Sequence, residues 1–170
     1  MTRAFWRAAP VAAAAAIATA ALFLVRPDCL TVRDSAGRIA AVFVLRAADP
    51  AFSLSWIHSV MLLPCKEYFR RGEGGTIELY RTEYKGLGAG LPSGDEGGTM
   101  TLKDGWIVID GMSRSFPSIT LFTTPIAPHL LGVGGREYPV LDLLGTGHKA
   151  VFSIERVPLG ELALARAGLH

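Results

Sequence analysis

Read for the spacing of its apolar positions, the chain changes character once, near residue 26. Residues 11–25 form an apolar run broken only by Thr19, with Arg3 and Arg7 before it and Arg26 directly after it. A stretch of this kind is a membrane-targeting segment and not part of a fold. Beyond it, short runs rich in β-branched and apolar residues alternate with Gly, Pro, Asp and Ser, the signature of strands and turns. "CLTVRD" and "RIAAVFVL" flank Ser35-Ala36-Gly37 as a hairpin. Further strands are expected over 52–60, 65–71, 76–85, 98–102, 106–110, 119–124, 138–143 and 150–157, with Asp104-Gly105 as a tight turn. About ten short strands at this spacing predict an all-β domain, an antiparallel β-sandwich or barrel. Helix is expected only over 159–167, after Pro158 and before Gly168.

The first segment divides the chain into a signal or membrane anchor, 1–26, and one exported β-rich domain, 28–170. The run over 5–25 approaches the roughly 20 residues that span a bilayer. Ala18-Thr19-Ala20 resembles a small-residue cleavage site, but four apolar residues follow it, which favours an uncleaved anchor. Arg3, Arg7 and the amino terminus favour the cytoplasmic side, placing the domain outside.

Composition changes this picture in two respects. Half of the 170 residues are hydrophobic, enough for a sizeable core. The net charge of +2 belongs to the leader: without Arg3, Arg7 and Arg26, the 17 basic residues become 14 against 15 acidic, a net of −1. The domain has no basic surplus for nucleic acid. Its two cysteines, Cys29 and Cys65, are compatible with one disulfide in an oxidising compartment or with two separate thiols.

Candidate chemistry concentrates in "SWIHSVMLLPCKEY", residues 55–68. On a strand, Phe52, Leu54, Trp56 and His58 share one face, and Ser53, Ser55, Ile57 and Ser59 the other. A four-residue loop at 61–64 would pair Val60 with Cys65, setting His58 opposite Glu67 and Trp56 opposite Phe69. Directly opposed side chains lie close enough for an imidazole to bond a carboxylate. A loop one residue shorter or longer would separate the two onto opposite faces. Such a pair serves either as a polar contact fixing register or as part of a site, and Trp56 reads first as core. The second unusual segment is "KGLGAGLPSGDEGG", residues 85–98. It lacks the Gly-Lys-Ser/Thr ending of a P-loop and the spacing of a dinucleotide fingerprint, and reads as a loop over the sheet end.

"WIHSV", then Pro64, Glu67 and Tyr68, then "GAGLP" from Gly88 to Pro92, resemble the DUF1850 family, with a likeness extending over about residues 28–145. Asp104-Gly105, Arg114, Pro117 and His129 fit it as well, whereas Cys65 departs from the aliphatic residue usual after that proline. The resemblance implies a small exported bacterial protein, often encoded beside tripartite ATP-independent periplasmic (TRAP) transporters of the TAXI subtype. It therefore implies a partner: the transporter's membrane subunits or its solute-binding protein. The expected function is an accessory or ligand-binding protein of such a transporter, anchored in the inner membrane, with Trp56, His58, Ser59, Glu67, Gly88, Gly90 and Pro92 as the binding residues and no cofactor. A periplasmic hydrolase using His58 as base and Glu67 to orient it lacks a nucleophile, since Ser59 points away and "GMSRS" around Ser113 is no nucleophile elbow. A metal site from His58, Glu67 and His129 lacks the local spacing of zinc motifs.

Overall fold

In the computed structural model, residues 13–14, 16–17, 19–46, 51–59, 62–86 and 97–166 are described. Residues 19–24 are helical (α1), and the chain passes through Pro27 into eleven strands. These are β1 (Asp28–Arg33), β2 (Ile39–Val44), β3 (Ala51–Ile57), β4 (Pro64–Arg71), β5 (Ile77–Tyr84), β6 (Thr99–Lys103), β7 (Trp106–Phe116), β8 (Ile119–Phe122), β9 (Leu130–Val133), β10 (Arg136–Pro139) and β11 (Lys149–Arg156). Two short helices complete the chain, α2 (Val140–Leu144) and α3 (Leu159–Arg166).

The strands form two antiparallel sheets, one ordered β2-β1-β11-β8 and the other β10-β9-β3-β4-β5-β7-β6. Neither closes on itself, so the fold is a sandwich and not a barrel. Leu30, Val32 and Phe152 of the small sheet share one buried cluster with Phe52, Phe69 and Tyr84 of the large one. Phe52 and Phe69 stack at 5.2 Å across β3 and β4. Each fully buried phenylalanine stabilises the fold by about 2–3 kcal/mol relative to an exposed one.

The structure extends or corrects several expected elements. The strand over 106–110 runs on to Phe116, because Gly111 takes φ 77° and opens a bulge where β5 and β7 shift register, so the ladder continues. The strand expected over 138–143 ends at Pro139, which has no N–H to continue a ladder. Val140 then turns into α2, burying itself, and Gly145 ends the helix at φ 81°. β9 was not foreseen, being short and carrying Gly132 in its middle. Asp104 (φ 51°) and Gly105 (φ 76°) form the tight turn joining β6 and β7.

Of the two alternatives, the structure holds Cys29 and Cys65 as separate thiols. They belong to different layers. Cys65 faces the core between the sheets, whereas Cys29 packs on the outer side of the small sheet with Val157 and Leu162 under α3. The anchor expected over 1–26 lies largely outside the described residues. Among those described, no helix is long and apolar enough to cross a membrane.

Candidate functional site

Strand pairing decides which of the candidate residues meet. Trp56 faces Cys65, Leu54 faces Glu67 and Phe52 faces Phe69, so the β3–β4 register is displaced from the expected one. His58 and Glu67 are therefore not opposed across the hairpin. His58 instead closes the hairpin with Leu63: its N–H donates to the Leu63 carbonyl at 2.8 Å, and the Leu62 N–H donates to its own carbonyl at 2.8 Å. The turn begins two positions earlier than expected, directly after His58. Pro64 is the reason, because it opens β4 opposite Ile57, where the first position of a strand tolerates its missing N–H. Leu62 turns the chain in the left-handed region at φ 54°. The displacement preserves faces, so Trp56, Cys65 and Glu67 all point inward. His58 and Glu67 are separated by four residues of strand, roughly 13 Å.

Trp56 packs against the main core and stacks on His129, with ring centroids 5.7 Å apart and planes at 27°. The Nδ1 atom of His129 is buried, with no partner at full hydrogen-bond geometry among the described residues. Burial accordingly holds the pKa of His129 below the ordinary 6.5, partly offset by the backbone of Ala127. Burial likewise raises the Cys65 thiol, and the charge of Glu67 adds to the effect. Among the described residues no three His, Cys, Asp or Glu side chains gather as metal ligands.

The glycine segment starts from the same end of the sandwich. Gly86 takes φ +100°, and a Cβ there would lie 2.8 Å from Leu63 Cδ1, so a glycine is required beside the hairpin. Gly88, Gly90 and Pro92 lie outside the described residues. Ser59 is exposed at the hairpin tip and Ser113 is exposed on β7.

The outer face of the large sheet carries a constellation that the sequence did not single out. Pairing aligns Ser53, Tyr68, Arg81 and Asp110 in one row, and Ser55, Lys66 and Glu83 in the next. The Tyr68 hydroxyl donates to Glu83 Oε2 at 3.0 Å. Arg81 donates through Nε to Glu83 Oε1 at 2.8 Å and pairs through Nη2 with the same oxygen. Its Nη1 reaches Asp110 Oδ2 at 3.1 Å. Two cations sit over the Tyr68 ring, Lys66 Nζ at 5.3 Å and Arg81 Cζ at 5.5 Å from its centroid. Burial and the Glu83 hydrogen bond push the Tyr68 hydroxyl up to about 12.

Beside this network lies an open groove of about 560 Å³. Its floor is made by Gly132 of β9, where the Ser53 side chain lies against the place a Cβ would take. Lys66, Tyr68, Arg136 and Glu137 form its walls. Lys66 Nζ lies 3.8 Å from Glu137 Oε1, a loose pair that leaves the lysine available to a ligand. The volume lies within the roughly 300–1,000 Å³ of small-molecule sites.

The profile of the DUF1850 family, a domain of unknown function, matches residues 52–140. The chain belongs to the DUF1850 family. No curated protein and no solved structure matches it. The span shared with the family is informative in itself. It takes in the large sheet from Phe52 of β3 to the end of β10 together with β8 of the small sheet, whereas β1, β2 and β11 fall outside it. Within this DUF1850 chain, then, the family span covers nearly all of the large sheet and one strand of the small one.

Proposed function

We propose that this DUF1850 protein is a periplasmic accessory of a TAXI-type TRAP transporter, held at the inner membrane by its first segment, and that the large sheet is its binding element. The observation that carries this reading is the coincidence of the family span with the large sheet, whose outer face bears the Tyr68 network and the groove over Gly132. A purely structural sheet face has no need of two cations stacked on one tyrosine beside an open trough. Lys66 and Arg136 supply donors, Glu137 an acceptor, and Tyr68 a rigid aromatic wall, the mixture that recognises a polar ligand or partner surface. His58 and Ser59 at the hairpin tip, with the glycine segment starting at Gly86, extend the contact surface. Trp56 and Glu67, which face inward, support that end from behind.

Hydrolysis is the weaker reading, since His58 and Glu67 are not opposed in the strand register and no nucleophile stands out in the sequence beside them. The proposal is tested by uptake. Deleting the protein should impair uptake of one solute, with rescue by the wild-type chain and not by the double variant Lys66→Glu/Arg136→Glu. Unchanged uptake in the deletion strain would end the transporter reading.

A further inference from the structure

At the end where α1 enters β1, Arg71 and Arg156 pair with Asp28, and Arg26 and Arg46 lie at the same end. Arg26 is exposed directly after α1. Arg156, at the end of β11, is paired in register with Asp28 and has a side chain 70% exposed, with Nε 3.5 Å from Asp28 Oδ1. Arg71, at the end of β4, places its Nε 3.0 Å from Asp28 Oδ2. Arg46 follows Leu45, whose N–H donates to the Asp28 carbonyl at 2.9 Å, and is exposed at the same level. Glu73, just beyond Arg71, is the second acid of this end, so the collar keeps a surplus of two positive charges among the described residues.

The collar adjoins the most exposed apolar stretch of the chain. Ile17, Phe23 and Leu24 of the first helical segment are 70%, 64% and 78% exposed, so the segment is not packed into the sandwich. Yet its junction with the domain is tied down. The Leu159 N–H donates to the Val25 carbonyl at 3.1 Å, and the Val157 N–H to the Pro27 carbonyl at 3.2 Å. A Cβ on Gly160 would lie 3.4 Å from the Leu22 carbonyl oxygen, so α3 lies close against the end of α1. No free linker separates the apolar segment from β1.

Resting on the membrane attachment proposed above, we infer that the collar end of the sandwich docks on the lipid surface, with Arg26, Arg46, Arg71 and Arg156 meeting anionic headgroups. Continuity with the exposed apolar segment and the sign of the collar's charge both select a lipid surface as the occupant. Basic residues within reach of an anionic leaflet add attraction that falls off over a Debye length. The docking fixes the direction of the domain. β4 runs from Pro64 to Arg71 across the sheet, so the His58–Leu63 hairpin end stands roughly 25 Å from the lipid surface. It is therefore presented to a partner beyond the headgroup layer.

The test places one fluorescent thiol probe on the full chain, either at the collar end (Glu73→Cys) or at the hairpin tip (Ser59→Cys); both sites are exposed, and the native cysteines are buried. The protein is reconstituted in phosphatidylcholine vesicles with and without phosphatidylglycerol, and quenching by a headgroup-labelled lipid is measured after flotation. The probe at residue 73 is expected to be quenched in phosphatidylglycerol vesicles and the probe at residue 59 to be unaffected. Arg46→Gln and Arg156→Gln should each lower the ratio of docked to undocked protein about fivefold. Flotation with equal quenching at both probes would overturn the docking and leave the attachment standing. A chain that fails to float would overturn both.

Discussion

Tyr68 is the residue on which most of the candidate site converges, and its ionisation offers a direct view of it. Its hydroxyl is pushed up to about 12 by burial and by donation to Glu83. A raised pKa means that the neutral form is favoured in the folded state. The corresponding stability is complete below the ordinary value of 10 and is lost as pH rises from there towards 12. Absorbance titration of phenolate should thus show a component ionising near pH 12, and Glu83→Gln should bring it earlier. A titration that Glu83→Gln leaves unchanged would show that the network is absent in solution. His129 behaves in the opposite sense. Because burial lowers its pKa, folding favours the neutral ring, and the associated stability, present above 6.5, declines as pH falls below it. Imidazole resonances followed by NMR should place its midpoint below the ordinary 6.5. Trp56 and His58 stood out in the sequence because they are unusual in a strand. Arg81 and Glu83 did not, and Tyr68 did so only as a motif residue, since alternating polar residues read as a solvated face until pairing places them in adjacent rows.

At the scale of elements, the β3–β4 hairpin shows what a sequence pattern does and does not determine. Period-two alternation put Phe52, Leu54 and Trp56 on the buried face, and they are there. The position of the loop depended on the single residue Pro64, which reads as a turn former yet serves as the first position of a strand. β9 illustrates a different limit: a glycine inside four residues is a poor strand signal, and its purpose appears only once Ser53 is known to lie opposite. That close approach makes a prediction. A Cβ at residue 132 would clash with Ser53 Oγ, so Gly132→Ala should destabilise the protein by about 1–3 kcal/mol. Ser53→Ala in the same chain should recover most of the loss, measured as a double-mutant cycle in chemical denaturation. Additive losses would mean that the two strands do not meet as described. Filling the groove floor in this way should also weaken whatever the groove binds.

For the whole molecule, the small sheet acts as a clamp across the core, and one ion pair on its outer side reports on its integrity. Glu155 accepts from Arg33 at 2.7 Å and from Ser153 and Thr31, and these contacts hold its carboxyl down to about 2. Its charge therefore favours the folded state above the ordinary 4.5, and that contribution disappears as pH falls from 4.5 towards 2. With the side chain one-third exposed, the contribution is about 1–2 kcal/mol after screening. Stability measured against pH should fall over that window in the wild type and more gently in Glu155→Gln. The all-β sandwich, its terminal helix and most strand positions were legible from alternation and turn chemistry. The pairing of eleven strands into sheets of four and seven was not, because each depends on contacts far apart in the chain, such as β1 with β11. Function follows the same division. The motif residues mark one end of the large sheet, but only the assembled sheet presents a surface. The most direct measurement is purification of the transporter's membrane subunits, with their solute-binding protein, from cells carrying the wild-type chain. The account predicts that the chain is retained in that complex, and that Lys66→Glu/Arg136→Glu releases it without unfolding it. An intact, active transporter recovered with none of the chain attached would contradict it.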